Sequence, residues 1–134
     1  MDSDKSRIDT VTKAFFSAFC NKYGPAPLDN LAACCIDEIV IIKNTQGNSE
    51  IYNFTTFVEP RKEVLTNGTL VDFEEYGISE TTVIETHIAQ RFSRYEKKGV
   101  LNGKPFFGKG TKLFQFIWKE GSWKIAAVVW EDDK

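Results

Sequence analysis

The stretch 82–132, TVIETHIAQRFSRYEKKGVLNGKPFFGKGTKLFQFIWKEGSWKIAAVVWED, decides the fold. It reads as three consecutive antiparallel strands, over 82–97, 104–119 and 122–131. Alternation sorts the first strand into two faces. Ile84, Thr86, Ile88, Gln90, Phe92 and Arg94 lie on one. Val83, Glu85, His87, Ala89, Arg91, Ser93 and Tyr95 lie on the other. Residues 97–103 read as a polar loop with two glycines. Gly108 and Gly110 mark a bulge or sharp bend. Glu120, Gly121 and Ser122 make a tight hairpin turn. The last strands are apolar on both faces, whereas a sheet with one solvated face alternates more cleanly. Something besides helices must cover the second face, and a second copy of the chain is the simplest cover.

Working outward, the chain before this stretch supplies helices and short strands. Ser3 and Asp4 cap a first helix whose apolar stripe is Ile8, Val11, Phe15, Ala18 and Phe19. Gly24, Pro25 and Pro27 end it. A short second helix carries Leu31, Ala32 and Cys35. The β-branched run 39–42 reads as a strand buried on both sides, with a hairpin turn over 44–48. Asn53 or Thr55 caps a third helix over 56–66, ended by Asn67 and Gly68. Residues 69–78 form another strand, and Ser79 and Glu80 turn into the long one. Helices followed by antiparallel strands define an α+β domain, with helices on one side of a bent sheet.

The chain has 134 residues, one domain spanning 1–134. At that length roughly two-thirds of the unfolded surface can be buried without metal or disulfide. The 11 Phe bring unusual aromatic area to a core. A net charge of -2 argues against nucleic-acid binding. Lys97, Lys98, Lys104, Lys109 and Lys112 do cluster with Phe106 and Phe107, a pattern that can stack single strands, but the acidic total opposes that use. The 3 Cys, two of them adjacent, have neither disulfide nor zinc spacing. They read as buried thiols in a reducing compartment. The N-terminus lacks the apolar run of a secretory signal, and no segment is apolar enough to span a bilayer. A soluble cytoplasmic protein, with no membrane partner, is expected.

The order of elements resembles the NTF2-like superfamily. The segment IAQRFSRYE from Ile88, followed by GKGTK from Gly108 and FQF from Phe114, carries the likeness. GSWKIA from Gly121 and WED from Trp130 complete it. It is similar to the bacterial SnoaL-like or DUF4440 branch of uncharacterised members. The resemblance implies a cone, in which N-terminal helices pack on a strongly curved, mostly antiparallel sheet enclosing a pocket. It also implies a homodimer through the sheet. It does not imply one function, because the superfamily holds isomerases, dehydratases, polyketide cyclases, transport factors and assembly domains.

His87, the only histidine, is expected to share a face with Arg91 and to act as an acid or base. Otherwise it is a hydrogen-bonded structural residue and Arg91 pairs with a nearby Glu. An Arg on the long third strand commonly points inward in the anion-binding members, and Arg91 matches that place. Gln115 and Trp130 then fall on the inward faces of the next two strands, while Phe114 and Phe116 join Ile88 and Phe92 on the face that meets a second chain. Asp37 and Glu38 are the acids to pair with His87. Tyr76 and Tyr95 are further ligand-binding candidates, and Glu74 and Glu85 further polar strand positions. No cofactor loop, metal set or nucleophile elbow is present in the sequence.

Three functions follow. The first is a homodimeric domain binding a small molecule, anionic if Arg91 lines the pocket. The second is a cofactor-free isomerase, dehydratase or cyclase using His87 with Asp37 or Glu38. The third is a dimerising interaction module without chemistry.

Overall fold

In the computed structural model, which describes residues 3–134, two helices pack on a curved, unclosed six-stranded sheet. The elements are α1 (Asp4–Ser17), β1 (Cys35–Thr45), β2 (Asn48–Tyr52), α2 (Phe54–Thr66), β3 (Leu70–Ile84), β4 (Ile88–Leu101), β5 (Lys104–Lys119) and β6 (Ser122–Asp132). The sheet order is β2-β1-β6-β5-β4-β3. Only β1 and β6 are parallel; every other pair is antiparallel. This is the α+β architecture expected.

Local chemistry sets the boundaries. The Ser3 hydroxyl accepts from the Ser6 N–H and starts α1. Asn53 and Thr56 form a reciprocal capping box on α2. Pro60 falls inside α2, early enough to be tolerated. Gln46 and Gly47, Asn102 and Gly103, and Glu120 and Gly121 each adopt positive φ between paired strands. Three two-residue turns with both central residues left-handed match the strand twist and fix register.

The expected strand limits need revision. No turn falls at Ser79 and Glu80; β3 runs on to Ile84, and register shifts near Val71 and Gly77 bend it within its length. The turn comes at 85–87, where the Glu85 N–H donates to the Ile88 carbonyl at 2.8 Å. Residues 97–101 belong to β4, so the expected loop shrinks to Asn102 and Gly103. The expected second helix is two 3₁₀ turns, Leu28–Asn30 and Ala32–Cys34. The run 39–42 is not buried on both sides: Ile39 and Ile41 are buried while Val40 is exposed, because the convex face of β1 is uncovered.

Pairing across β4, β5 and β6 assigns faces. Arg91 lies opposite Phe114, and Gln90 opposite Gln115. Residues directly opposite share a face, so Phe114 and Phe116 point inward and Gln115 outward. The expectation for β5 was inverted by one residue, which flips every side chain. The concave face and helices bury one aromatic core. Phe15 meets Phe114 at 5.5 Å, Phe19 meets Phe57 at 5.7 Å and Phe57 meets Trp130 at 5.6 Å, all edge to face. Asn21, just after α1, ties α2 to β3: its amide donates to the Leu65 and Leu70 carbonyls and its oxygen accepts from the Phe73 N–H. Among the described residues, no helix is long and apolar enough to cross a membrane.

Gly108 and Gly110 do not mark a bulge, since β4 and β5 pair continuously past both. Gly110 is small because Tyr95 and β6 press on it. A Cβ there would lie 2.8 Å from the Asp132 Cα and closer still to the Tyr95 hydroxyl and Glu131 carbonyl. Gly110→Ala is therefore expected to destabilise the fold by about 2–3 kcal/mol, as overpacking does. Urea unfolding checks this: the midpoint falls while the slope stays constant.

Candidate functional site

The concave face, α1 and α2 line a half-open cavity of about 250 Å³. Phe15, Phe19, Phe57, Phe73, Phe106 and Trp130 give it aromatic walls. Its polar lining is Lys43, Arg61, Lys97, Lys112 and Glu75, four cations against one carboxylate. Each comes from a different element: β1, α2, β4, β5 and β3 respectively.

Most of these charges are already paired. Lys112 lies 3.3 Å from Glu75, and its ammonium sits 4.4 Å from both the Tyr95 and the Trp130 ring centroids. Burial pulls its pKa down, and the Glu75 carboxylate pushes back without restoring it. Asp132, beside the cavity, accepts from the Tyr95 hydroxyl and from Lys97 at 2.9 Å, and lies 3.9 Å from Lys43. Burial also holds the Tyr95 phenol well above its usual range, helped by its bond to Asp132.

Arg61 differs. Its guanidinium stacks 3.8 Å from the Phe57 ring centroid and 5.8 Å from that of Trp130, and donates to the Phe57 carbonyl at 3.0 Å. Among the described residues it has no ion-pair partner within 4.0 Å. Burial pulls its pKa below the usual value, with Tyr52, Glu75 and Glu50 opposing. A guanidinium with unused donors in an aromatic cavity suits a carboxylate, which it can grip with two parallel bonds.

The residues expected at the site scatter. Trp130 lines the cavity. Tyr95 is fully buried behind it, bonded to Asp132. Arg91 is inward and 5% exposed, but its charge is committed to Asp9 and Glu80, with Thr82 accepting from its Nε at 2.8 Å. Lys5 bridges the same two acids at 2.8 Å each, so the set fastens α1 to β3 and β4. Arg91 and Tyr76 line a separate cleft beside α1, where Tyr76 donates to Glu96. Gln115 is exposed on the convex face, correcting its inward placement. His87 is exposed in the turn between β3 and β4, which removes it from the face of Arg91. Asp37 and Glu38 are exposed near the start of β1. Among the described residues no hydrogen bond or ion pair joins His87 to either.

Arg61, Lys112 and Glu75 were missed. Arg61 follows Phe57 by four residues and precedes Val64 and Leu65 by three and four, a spacing that puts all four on one helix face. Lys112 precedes Phe114 and Phe116 at intervals of two, the strand equivalent. Both signals were present, but a lone charge in an apolar stripe reads as solvated. Cys35 in the same core is pushed up to about 12 by burial and is an inert thiol.

Solved structures share this architecture. An NTF2-like protein from Cytophaga hutchinsonii superposes with a TM-score of 0.76 at 15% identity, covering 98% of this chain and 100% of that one. The hexachlorocyclohexane dehydrochlorinase LinA-type3 from Novosphingobium barchaimii gives 0.74 at 13%, covering 97% and 86%. A protein described as a calcium/calmodulin-dependent kinase II association domain, from Xanthomonas campestris, gives 0.73 at 13%, covering 98% and 89%. No protein-family model matches the sequence, and no curated protein matches it. The chain has the NTF2-like fold, and at these identities the likeness concerns the fold alone.

Burial raises the Asp132 carboxyl, but the bonds from Tyr95 and Lys97 outweigh it and the net pKa falls below 3.8. A carboxylate lowered on folding contributes stability above its unfolded pKa and loses it as pH falls through the folded value. The unfolding midpoint is therefore expected to drop from about pH 5 downward. Asp132→Asn should flatten that part of the profile, as urea titrations at stepped pH will read.

Proposed function

We propose, with the NTF2-like fold as premise, that the chain binds a small organic anion with an apolar body in this cavity, and does so as a homodimer. The observation that carries this reading is Arg61, a half-buried guanidinium with no carboxylate within 4.0 Å among the described residues, facing aromatic walls. Apolar lining with a few placed polar groups is the usual make-up of a small-molecule site. The surplus of cations over carboxylates in the lining supports an anionic ligand. The ring of the ligand packs against Phe57 and Trp130, and its carboxylate takes the free guanidinium donors. An acid–base enzyme built on His87 with Asp37 or Glu38 draws no support from their exposed positions away from the cavity.

Isothermal calorimetry with 3-phenylpropionate tests the binding reading. Arg61→Met is expected to weaken affinity at least tenfold, the worth of about 1.4 kcal/mol, with little change in thermal midpoint. Equal affinity in the variant, or no binding across a series of aryl and alkyl carboxylates, contradicts it.

The dimer reading rests on the convex face. Phe92, Leu113 and Val129 are direct neighbours in one row across β4, β5 and β6. All three are exposed, as are Val83 and Ile88 on the same side. Contiguous exposed apolar surface of this kind marks an interface. Gln90 and Gln115 lie opposite each other within it and supply polar contacts. Light scattering at micromolar concentration is expected to give twice the chain mass, and Phe92→Asp with Leu113→Asp a single chain mass. A monomeric wild type contradicts the dimer.

A further inference from the structure

The cavity holds a second group that anion binding does not use. Lys112 is 4% exposed, yet it lines the cavity beside Trp130 and Glu75. Charged side chains face it from every side. Glu75 approaches from β3, Lys97 from β4, Asp132 from β6, Arg61 from α2 and Lys43 from β1. The rings of Tyr95 and Trp130 flank the ammonium. A lysine kept from water in this way is a poor host for its own positive charge and a good nucleophile once neutral. Both Arg61 and Lys112 approach the Trp130 indole, at 5.8 and 4.4 Å from its centroid. Both groups line the same cavity.

We propose that the cavity takes a small oxo acid, whose carboxylate is held by Arg61 and whose carbonyl condenses with Lys112 to an imine. This rests on the anion-binding reading and narrows it to carbonyl-bearing acids. The Lys112 nitrogen adds its lone pair to the carbonyl carbon, and the π pair of the C=O bond moves to oxygen. Glu75, 3.3 Å from the amine, carries the two amine protons in turn to that oxygen. The oxygen leaves as water while the nitrogen lone pair closes the C=N bond. The sum is amine plus carbonyl giving neutral imine plus water, with no oxidant or reductant. The ammonium proton passes first to Glu75, 3.3 Å away, a loss that burial of Lys112 eases.

Phenylpyruvate with sodium cyanoborohydride tests this, because hydride delivered to the imine leaves a stable secondary amine. Mass mapping of the wild-type chain is expected to find one adduct per chain, on the peptide that contains Lys112. Excess 3-phenylpropionate, which lacks the keto group, should suppress it. Lys109→Met, an exposed lysine, should keep the adduct. Lys112→Met with Glu75→Gln, which leaves no unpaired carboxylate, should lose it while circular dichroism stays unchanged. If phenylpyruvate binds in an Arg61-dependent way but labels no lysine, or labels surface lysines indiscriminately, the imine is overturned and the anion reading survives. If neither acid binds, both readings fall together.

Discussion

The register of β4, β5 and β6 is the constraint on which the rest of the structure depends. Two turns of two residues each, Asn102 with Gly103 and Glu120 with Gly121, start it, and a one-residue shift at Ala126 of β6 sets the β5–β6 pairing that reaches Lys112. That register lines up Ser93, Lys112 and Trp130 as direct neighbours on three strands. A slip of one residue would put Lys112 and Trp130 in water and bury Leu113 and Val129. It would also carry Gly110 away from the Tyr95 hydroxyl, where a Cβ cannot fit. The cavity and the convex face are thus two results of a single choice.

The electrostatics follow from that placement. Lys112 and Arg61 give up hydration on entering an aromatic enclosure, a cost that buried charges meet through partners. Lys112 finds Glu75 and two rings. Lys97 and Lys43 share Asp132. Among the described residues Arg61 meets ring faces and one backbone carbonyl, with Glu75 and Glu50 farther than 4.0 Å, so it retains donor capacity for an anion. Arg91 is the contrasting case: its charge is spent on Asp9 and Glu80, and it serves the seating of α1 on the sheet.

Much of the fold was legible because turn chemistry and alternation are local. The helix caps at Ser3 and Asn53, the final hairpin and the α+β order all read directly. The turn at 85–87 was not legible, because Ser79 and Glu80 look equally turn-like and β3 absorbs its bend in register shifts without breaking. That single displacement moved His87 off the sheet face. The site was less legible still. Trp130 lies on the concave face, but the face of Gln115 depends on inter-strand register, which one strand's alternation cannot supply. Arg61 and Lys112 were hidden by the habit of reading charges as exposed, although each interrupts a stripe of buried positions at the spacing of its element.

The NTF2-like fold supplies a curved sheet and a cavity without dictating their use, as neighbours described as a dehydrochlorinase and as a kinase association domain illustrate. Use is decided by side chains on the concave wall, and here those are cations among aromatic rings. A crystal structure of the chain with 3-phenylpropionate tests that account most directly. It predicts the carboxylate within hydrogen-bonding distance of the Arg61 guanidinium and the ring against Trp130 and Phe57. An empty cavity at saturating ligand, or the acid seated in the cleft of Arg91 instead, would contradict it.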